Sequence, residues 1–301
     1  MDYDAALEVF YQPSPPGAAP PEAVAQGSPA RRLRDAFEPI AMHAVWSRLT
    51  NERLAALGLN FLTGYVWGRA SGMGEPAPAV VVAAFAAFEP GLITSLYEEA
   101  RGKVGRAELV ETRDEATTQS LEAVLGDADV SAVVSVLRRG IEAADGTGRP
   151  LFAGLASQPW PGRPAGQLWR ACDILREHRG DSHVAACVAA GLDPVAMNIL
   201  TELYLGMPLF EYSGTRAWPE EVLGATADRL RSEGLMEGDG LSDEGRRLRG
   251  EIEERTDAAQ HRVIDAIGDD LEPAIAQLER WSAACVEAGA FPPNIFKRAA
   301  G

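Results

Sequence analysis

In ARRLRDAFEPIAMHAVWSRL, residues 30–49, apolar side chains return every three or four positions, as on one face of a helix. The pattern predicts a helix bent at Pro39, with a shorter one over NERLAALGL. NFLTGYVWGRASGMG keeps a near-helical period through Phe61, Tyr65 and Trp67 and stops at its glycines. APAVVVAAFAAFEPGLITSLYEEA, RDEATTQSLEAVLG and DVSAVVSVLRRGIEAAD extend the series to the middle of the chain. The period fails twice. Residues 12–30, rich in Pro, Ala and Gly, read as a flexible or polyproline-like connector, so that the folded body is expected to start near Ala30. Residues 148–164, GRPLFAGLASQPWPGRP, read as a loop-like boundary between two units.

The second unit opens at AGQLWRACDILREHRG. In LREHRGDSHVAACVAAGL, residues 175–192, Gly180 is the residue type that ends a helix in the left-handed conformation and Asp181 the type that caps the next. This predicts a helix–glycine–cap–helix joint, with the second helix over 182–190. Helices over 194–205 and 219–234 follow, then LMEGDGLS, whose Gly238 and Gly240 predict a two-stranded hairpin, and a charged helix from about Asp243. Three helices and a hairpin outline a winged helix. The expected fold is mainly α. Residues 1–30 form a flexible extension and 31–150 a helical domain, packed on a degenerate winged-helix domain over 165–257 with a β-hairpin wing; 258–301 form a C-terminal helix and tail.

RLRSEGLMEGDGLSDEGRRLRGEIEERTD, residues 229–257, resembles the wing region of MarR-type regulators, where a helix ends in R/E-G-L and L-T/S-x-x-G-R-x-L starts the next. GYVWGRASGMG (64–74), LREHRGDSHVAACVAAGL (175–192) and LSDEGRRLRGEIEERTD (241–257) together resemble an actinobacterial family with a helix-turn-helix-related C-terminal half, over roughly residues 30–257. The MarR-like part implies a homodimer held by helices outside the winged unit, with the helix over 258–287 as the candidate.

Charge changes what this fold is expected to do. The chain carries 44 acidic and 28 basic side chains, a formal net charge of -16, which repels polyanions. Residues 168–257 hold 18 acidic against 10 basic side chains. The helix that would read DNA has Glu220, Glu221, Asp228 and Glu233 against Arg229 and Arg231, and the wing adds Glu237 and Asp239. Phosphate contacts need Lys or Arg, so nucleic acid is disfavoured as a partner. Cys172, Cys187 and Cys285 are isolated in apolar helical patterns and read as reduced thiols. The longest apolar run, residues 78–88, is about half a bilayer span, and the acidic N-terminus is unlike a signal peptide. A cytoplasmic protein without a membrane segment is expected.

Candidate chemistry gathers where His178, Arg179, Asp181 and His183 fall within six positions. One reading is structural, the cations closing one helix and Asp181 capping the next. That joint leaves His183 without a role. The functional reading aims His178 and His183 into a cavity as proton carriers, with His43 as third catalytic member and Arg179 holding a carboxylate or enolate. Glu38, Arg69, Trp46, Tyr65 and Trp67 are the expected ligand-binding neighbours of His43. The wider aromatic set, with Phe61, Phe85 and Phe88, reads first as core. RRLRGEIEERTD reads as a solvated helix face. No zinc spacing and no phosphate or dinucleotide loop occurs, so neither metal nor cofactor is expected. The function these readings favour is binding of a small organic molecule on a repurposed winged-helix scaffold, with an acid-base or cyclisation step of specialised metabolism as the chemistry it could host. The alternatives are a MarR-like ligand-responsive transcription regulator and a non-catalytic interaction module.

Overall fold

The computed structural model describes residues 1–19 and 27–300. They are mainly helical. Helix α1 (Tyr3–Phe10) starts on Asp2, whose carboxylate accepts from Ala5 N. Helix α2 (Pro29–Ala41) starts on Ser28 with Pro29 in its first turn. Pro39 lies within α2 and has no N–H for the carbonyl of Asp35; the Arg298 guanidinium takes that carbonyl, with Nε at 2.8 Å. The helix ends two residues later. Short α3 (His43–Trp46) and α4 (Arg48–Ala56) lead to α5 (Phe61–Ala70), which Asn60 and Thr63 start as a reciprocal capping box.

Helices α6 (Pro78–Phe85), α7 (Pro90–Lys103), α8 (Arg106–Leu125) and α9 (Ser131–Ala143) complete the N-terminal half. The stretch expected to be a boundary loop contains α10 (Pro150–Ala156), started by its own proline and packed through Phe152 and Leu155 on Ile174. Helix α11 (Pro164–Ala189) runs without a break through the expected joint. Gly180 has no left-handed backbone, and Asp181 caps nothing of its own helix; its carboxylate accepts from Phe152 N at 3.0 Å. The chain then bends by 110° into α12 (Pro194–Tyr204), capped by Asp193. Helix α13 (Glu220–Ser232), strands β1 (Met236–Glu237) and β2 (Gly240–Leu241), and α14 (Asp243–Ala258) follow. The strands are antiparallel, Met236 opposite Leu241 and Glu237 opposite Gly240, with Gly238 left-handed at the turn. The expected C-terminal helix is broken into α15 (His261–Ile267) and α16 (Leu271–Glu287), with α17 (Ile295–Ala300) beyond.

One large core joins α2, α8, α9, α11, α15 and α16, so the N-terminal and C-terminal segments bury the same apolar surface. Helix α16 packs Leu278 and Trp281 there, and Ser282 donates to the Ala36 carbonyl at 2.6 Å. Its apolar face is therefore used within the chain. A second core lies among α4 to α8, and a third, smaller one joins α12, α13 and the hairpin. The N-terminal extension also departs from expectation: α1 is folded against the body, Tyr3 donating to the Trp46 carbonyl at 2.6 Å and Phe10 packing on Trp46 and Phe61. The rest of the expected connector includes residues 20–26, which lie outside the described residues. No single helix among the described residues is long and apolar enough to cross a membrane.

Candidate functional site

A cavity of about 490 Å³ opens between the N-terminal helices and the α12–α14 unit, within the size range of small-molecule sites. Helical periodicity decides which side chains reach it. Along α5, Phe61, Leu62, Tyr65, Val66 and Arg69 form one stripe of its wall. Trp67, two positions beyond Tyr65, is turned about 200° away and is core: its ring meets Tyr97 and its Nε1 donates to the Val104 carbonyl at 3.0 Å. Along α11, Arg176, Arg179, Gly180, His183 and Val184 make the facing stripe, and Asp181 adds to it. Gly180 is a helix-interior glycine, and a Cβ there would approach only Glu177 Oε2, at 3.9 Å, so its missing side chain leaves open space at the wall.

The expected residues divide accordingly. Glu38, Trp46, Tyr65, Arg69, Arg179 and His183 line the cavity; Trp67, His43 and His178 do not. His43 is buried with Nε2 3.0 Å from Ser120 Oγ, and burial pushes its pKa down to about 4. His178 faces away from the stripe, its Nδ1 2.6 Å from Gln260 Oε1 and its ring edge-on to Phe152; burial lowers its pKa too. The three histidines therefore do not converge. His183 places Nδ1 3.1 Å from Thr256 Oγ1 and Nε2 3.6 Å from Cys187 Sγ. Burial first, then the positive charge of Arg249, pushes it down to about 3, leaving a neutral and weakly basic imidazole.

One wall is aromatic and aliphatic: Trp46, Phe61, Tyr65, Phe85 and Phe88 stand there with Phe10. All six are linked by ring contacts in two groups, Phe10, Trp46 and Phe61 with Trp46 to Phe61 at 5.3 Å, and Tyr65, Phe85 and Phe88 with Tyr65 to Phe85 at 6.0 Å. Of the set read first as core, Trp67 and Phe85 do lie in the second core and Tyr65 and Phe88 pack against it, while Trp46, Phe61, Tyr65, Phe85 and Phe88 also line the cavity.

The opposite side is cationic. Arg31, Arg34, Arg69, Arg176, Arg179 and Arg249 all line the cavity. They share the carboxylates of Asp35, Glu38, Glu177, Glu253 and Asp257. Arg69 holds Glu177 through two bonds, Nε at 2.7 Å and Nη2 at 2.8 Å, while its plane stacks over Phe85. Glu253 is a hub: burial raises its pKa, but Arg249, Arg179 and Arg31 outweigh that and hold it well below the carboxylate range. Burial pushes Asp181 up to about 6.

The sequence reading missed Arg249 and Arg216. Arg249 is 2% exposed although it belongs to the run read as a solvated face. Its Nη2 reaches Glu253 Oε1 at 2.8 Å, but Nε and Nη1 have no hydrogen-bond partner among the described residues. A buried donor left unpaired costs about 1–3 kcal/mol. Arg216 lies between Phe88 and Tyr212, 4.7 and 4.0 Å from the ring centres; its Nη1 donates to Thr215 Oγ1 at 3.2 Å, and no carboxylate among the described residues pairs with it. The spacing Arg249, Glu253, Thr256, Gln260 marks one helical face and was the available clue.

The sequence profile of a helix-turn-helix family matches residues 30–292. No curated protein and no solved structure matches the chain.

Proposed function

The chain belongs to a helix-turn-helix family, and we propose that it is a small-molecule-binding protein built on a repurposed, MarR-like winged-helix scaffold. The observation that carries this is the cavity, with an aromatic wall from α5 and α6 facing buried arginines from α2, α11 and α14. The order α12, α13, hairpin, α14 supports the winged-helix reading. The arginines of α13 are engaged on the spot, Arg229 with Asp193 and Glu233, Arg231 with Asp228 and Asp239. A phosphate would have to displace those acids, which supports a scaffold turned from DNA to ligand. Binding, in preference to acid-base turnover, is also supported by His183, which is neutral and already engaged by Thr256.

The test uses phenylnaphthylamine, a neutral dye that brightens in apolar surroundings. We expect saturable binding at one site per chain, lost in Val184→Trp, which fills the cavity from α11, while helical content stays unchanged. Dye binding that ignores this substitution contradicts the proposal.

One observation favours the ligand-responsive regulator as second reading. Trp218 Nε1 and Asn198 Nδ2 donate to the Ala87 carbonyl at 3.0 and 2.7 Å, and Glu89 N donates to the Arg216 carbonyl at 3.0 Å. The cavity wall is thereby tied to the start of α13. Retention on DNA decides between them. The binding-protein reading expects none at 0.15 M salt; the regulator reading requires retention that falls steeply as salt rises, at about this ionic strength.

A further inference from the structure

Beyond the presence of a cavity, its charge is unbalanced in a way that selects a ligand class. Six of its arginines have carboxylate partners; of these Arg34 and Arg179 each keep one buried N–H position unpaired and Arg249 keeps two, and Arg216 has no acid within ion-pair distance among the described residues. Both line the same cavity, and both are held by aromatic rings, Arg249 over Tyr204 and Arg216 between Phe88 and Tyr212. A ring over the guanidinium face leaves edge N–H groups for an oxyanion: Arg216 Nη1 is used by Thr215 Oγ1 and Arg249 Nη2 by Glu253, while Arg216 Nε and Arg249 Nε and Nη1 have no partner among the described residues. Thr201 Oγ1, 3.4 Å from Arg249 Nη2, adds a hydroxyl beside it. The nearby carboxylate Glu253 is already shared with Arg179 and Arg31 and does not neutralise the unpaired edge.

We infer that the ligand is an amphipathic organic acid, bound as its carboxylate on Arg249 with Arg216 as the second cation, and with its apolar body along the Trp46, Phe61 and Tyr65 wall. This rests on the cavity being a ligand site. A carboxylate recoups the hydrogen bonding that Arg249 lacks; a neutral isostere of the same shape offers less to a charged donor.

The experiment displaces phenylnaphthylamine with naphthalene carboxylate or with its neutral isostere, naphthalene carboxamide. We expect the carboxylate to displace at a concentration roughly tenfold or more below that of the carboxamide, and the two to become nearly equal in Arg249→Met, where Glu253 keeps Arg179 and Arg31 as partners. Arg216→Met, at a half-buried position, is expected to reduce the preference several-fold and decides the matter if the Arg249 variant does not fold. Dye displacement without preference for the carboxylate overturns this inference and leaves the cavity reading intact. So does a preference that survives in the folded variants. If the dye does not bind the wild-type chain, both fall.

Discussion

At the scale of the residue, the histidines show how composition misleads. Two of the chain's four histidines fall within six positions and suggest shared chemistry, yet His43, His178 and His183 each bond a different neighbour: Ser120, Gln260 and Thr256. Their neutrality has a measurable consequence. With its pKa at about 4, folded His43 declines a proton that the unfolded chain takes below about 6.5. Its neutral form therefore leaves stability intact above that pH and loses it as pH falls toward 4. Asp181, raised to about 6, works in the opposite direction, since the folded state holds its proton where the unfolded chain has released it. Denaturant unfolding of wild type and His43→Gln from pH 7 to 4.5 separates the two: the variant should show a pH slope shallower by up to about 1.4 kcal/mol per unit. An identical slope would mean that His43 is protonated in the folded state. Arg249 illustrates the converse error. A buried arginine inside RRLRGEIEERTD looks like its solvated neighbours until the face it shares with Glu253, Thr256 and Gln260 is counted out.

Elements were more legible than their ends. The 3.6-residue period places most helices, and the glycines at 238 and 240 place the hairpin; the caps at Ser28, Asn60, Asp193 and Ser242 emerge only in the structure. Helix α11 was misread because Gly180 and Asp181 carry the local chemistry of a joint. Tertiary packing overrides it: Ile174, Cys172 and Leu175 before the glycine and Ala186 and Cys187 after it are buried in cores along one continuous helix. Gly180 is then a cost of about 1 kcal/mol relative to alanine in a helix interior. The space it leaves belongs to the cavity, which gives the cost a function. Gly180→Leu should raise the melting temperature by about 2 °C and abolish phenylnaphthylamine binding. A variant that melts lower, or that still binds the dye as wild type does, would show that the glycine serves the helix and not the cavity. The stripes of α5 and α11 could have been drawn from spacing alone. What spacing does not supply is the partner face, since that requires knowing which helices meet.

The whole molecule is where sequence reading reached least far. Its segments do not keep to themselves: α16 completes the core of α2, and α1 closes over Trp46 and Phe61. Long-range packing of this kind leaves no periodic trace. Helix α16 buries Leu278 and Trp281 within the chain, so a dimer held by the segment 258–287 would use its other faces. Membership of a helix-turn-helix family and the mainly helical fold were legible, and so was the acidic character of the helix over 219–234. The cavity was legible only in parts, as single residues whose convergence the fold creates. A crystal structure of the protein grown with naphthalene carboxylate tests that convergence most directly. The expected result is the naphthalene ring between the Trp46–Phe61–Tyr65 wall and Gly180; the ligand bound outside this cavity, or a cavity without it at saturating concentration, would contradict the account.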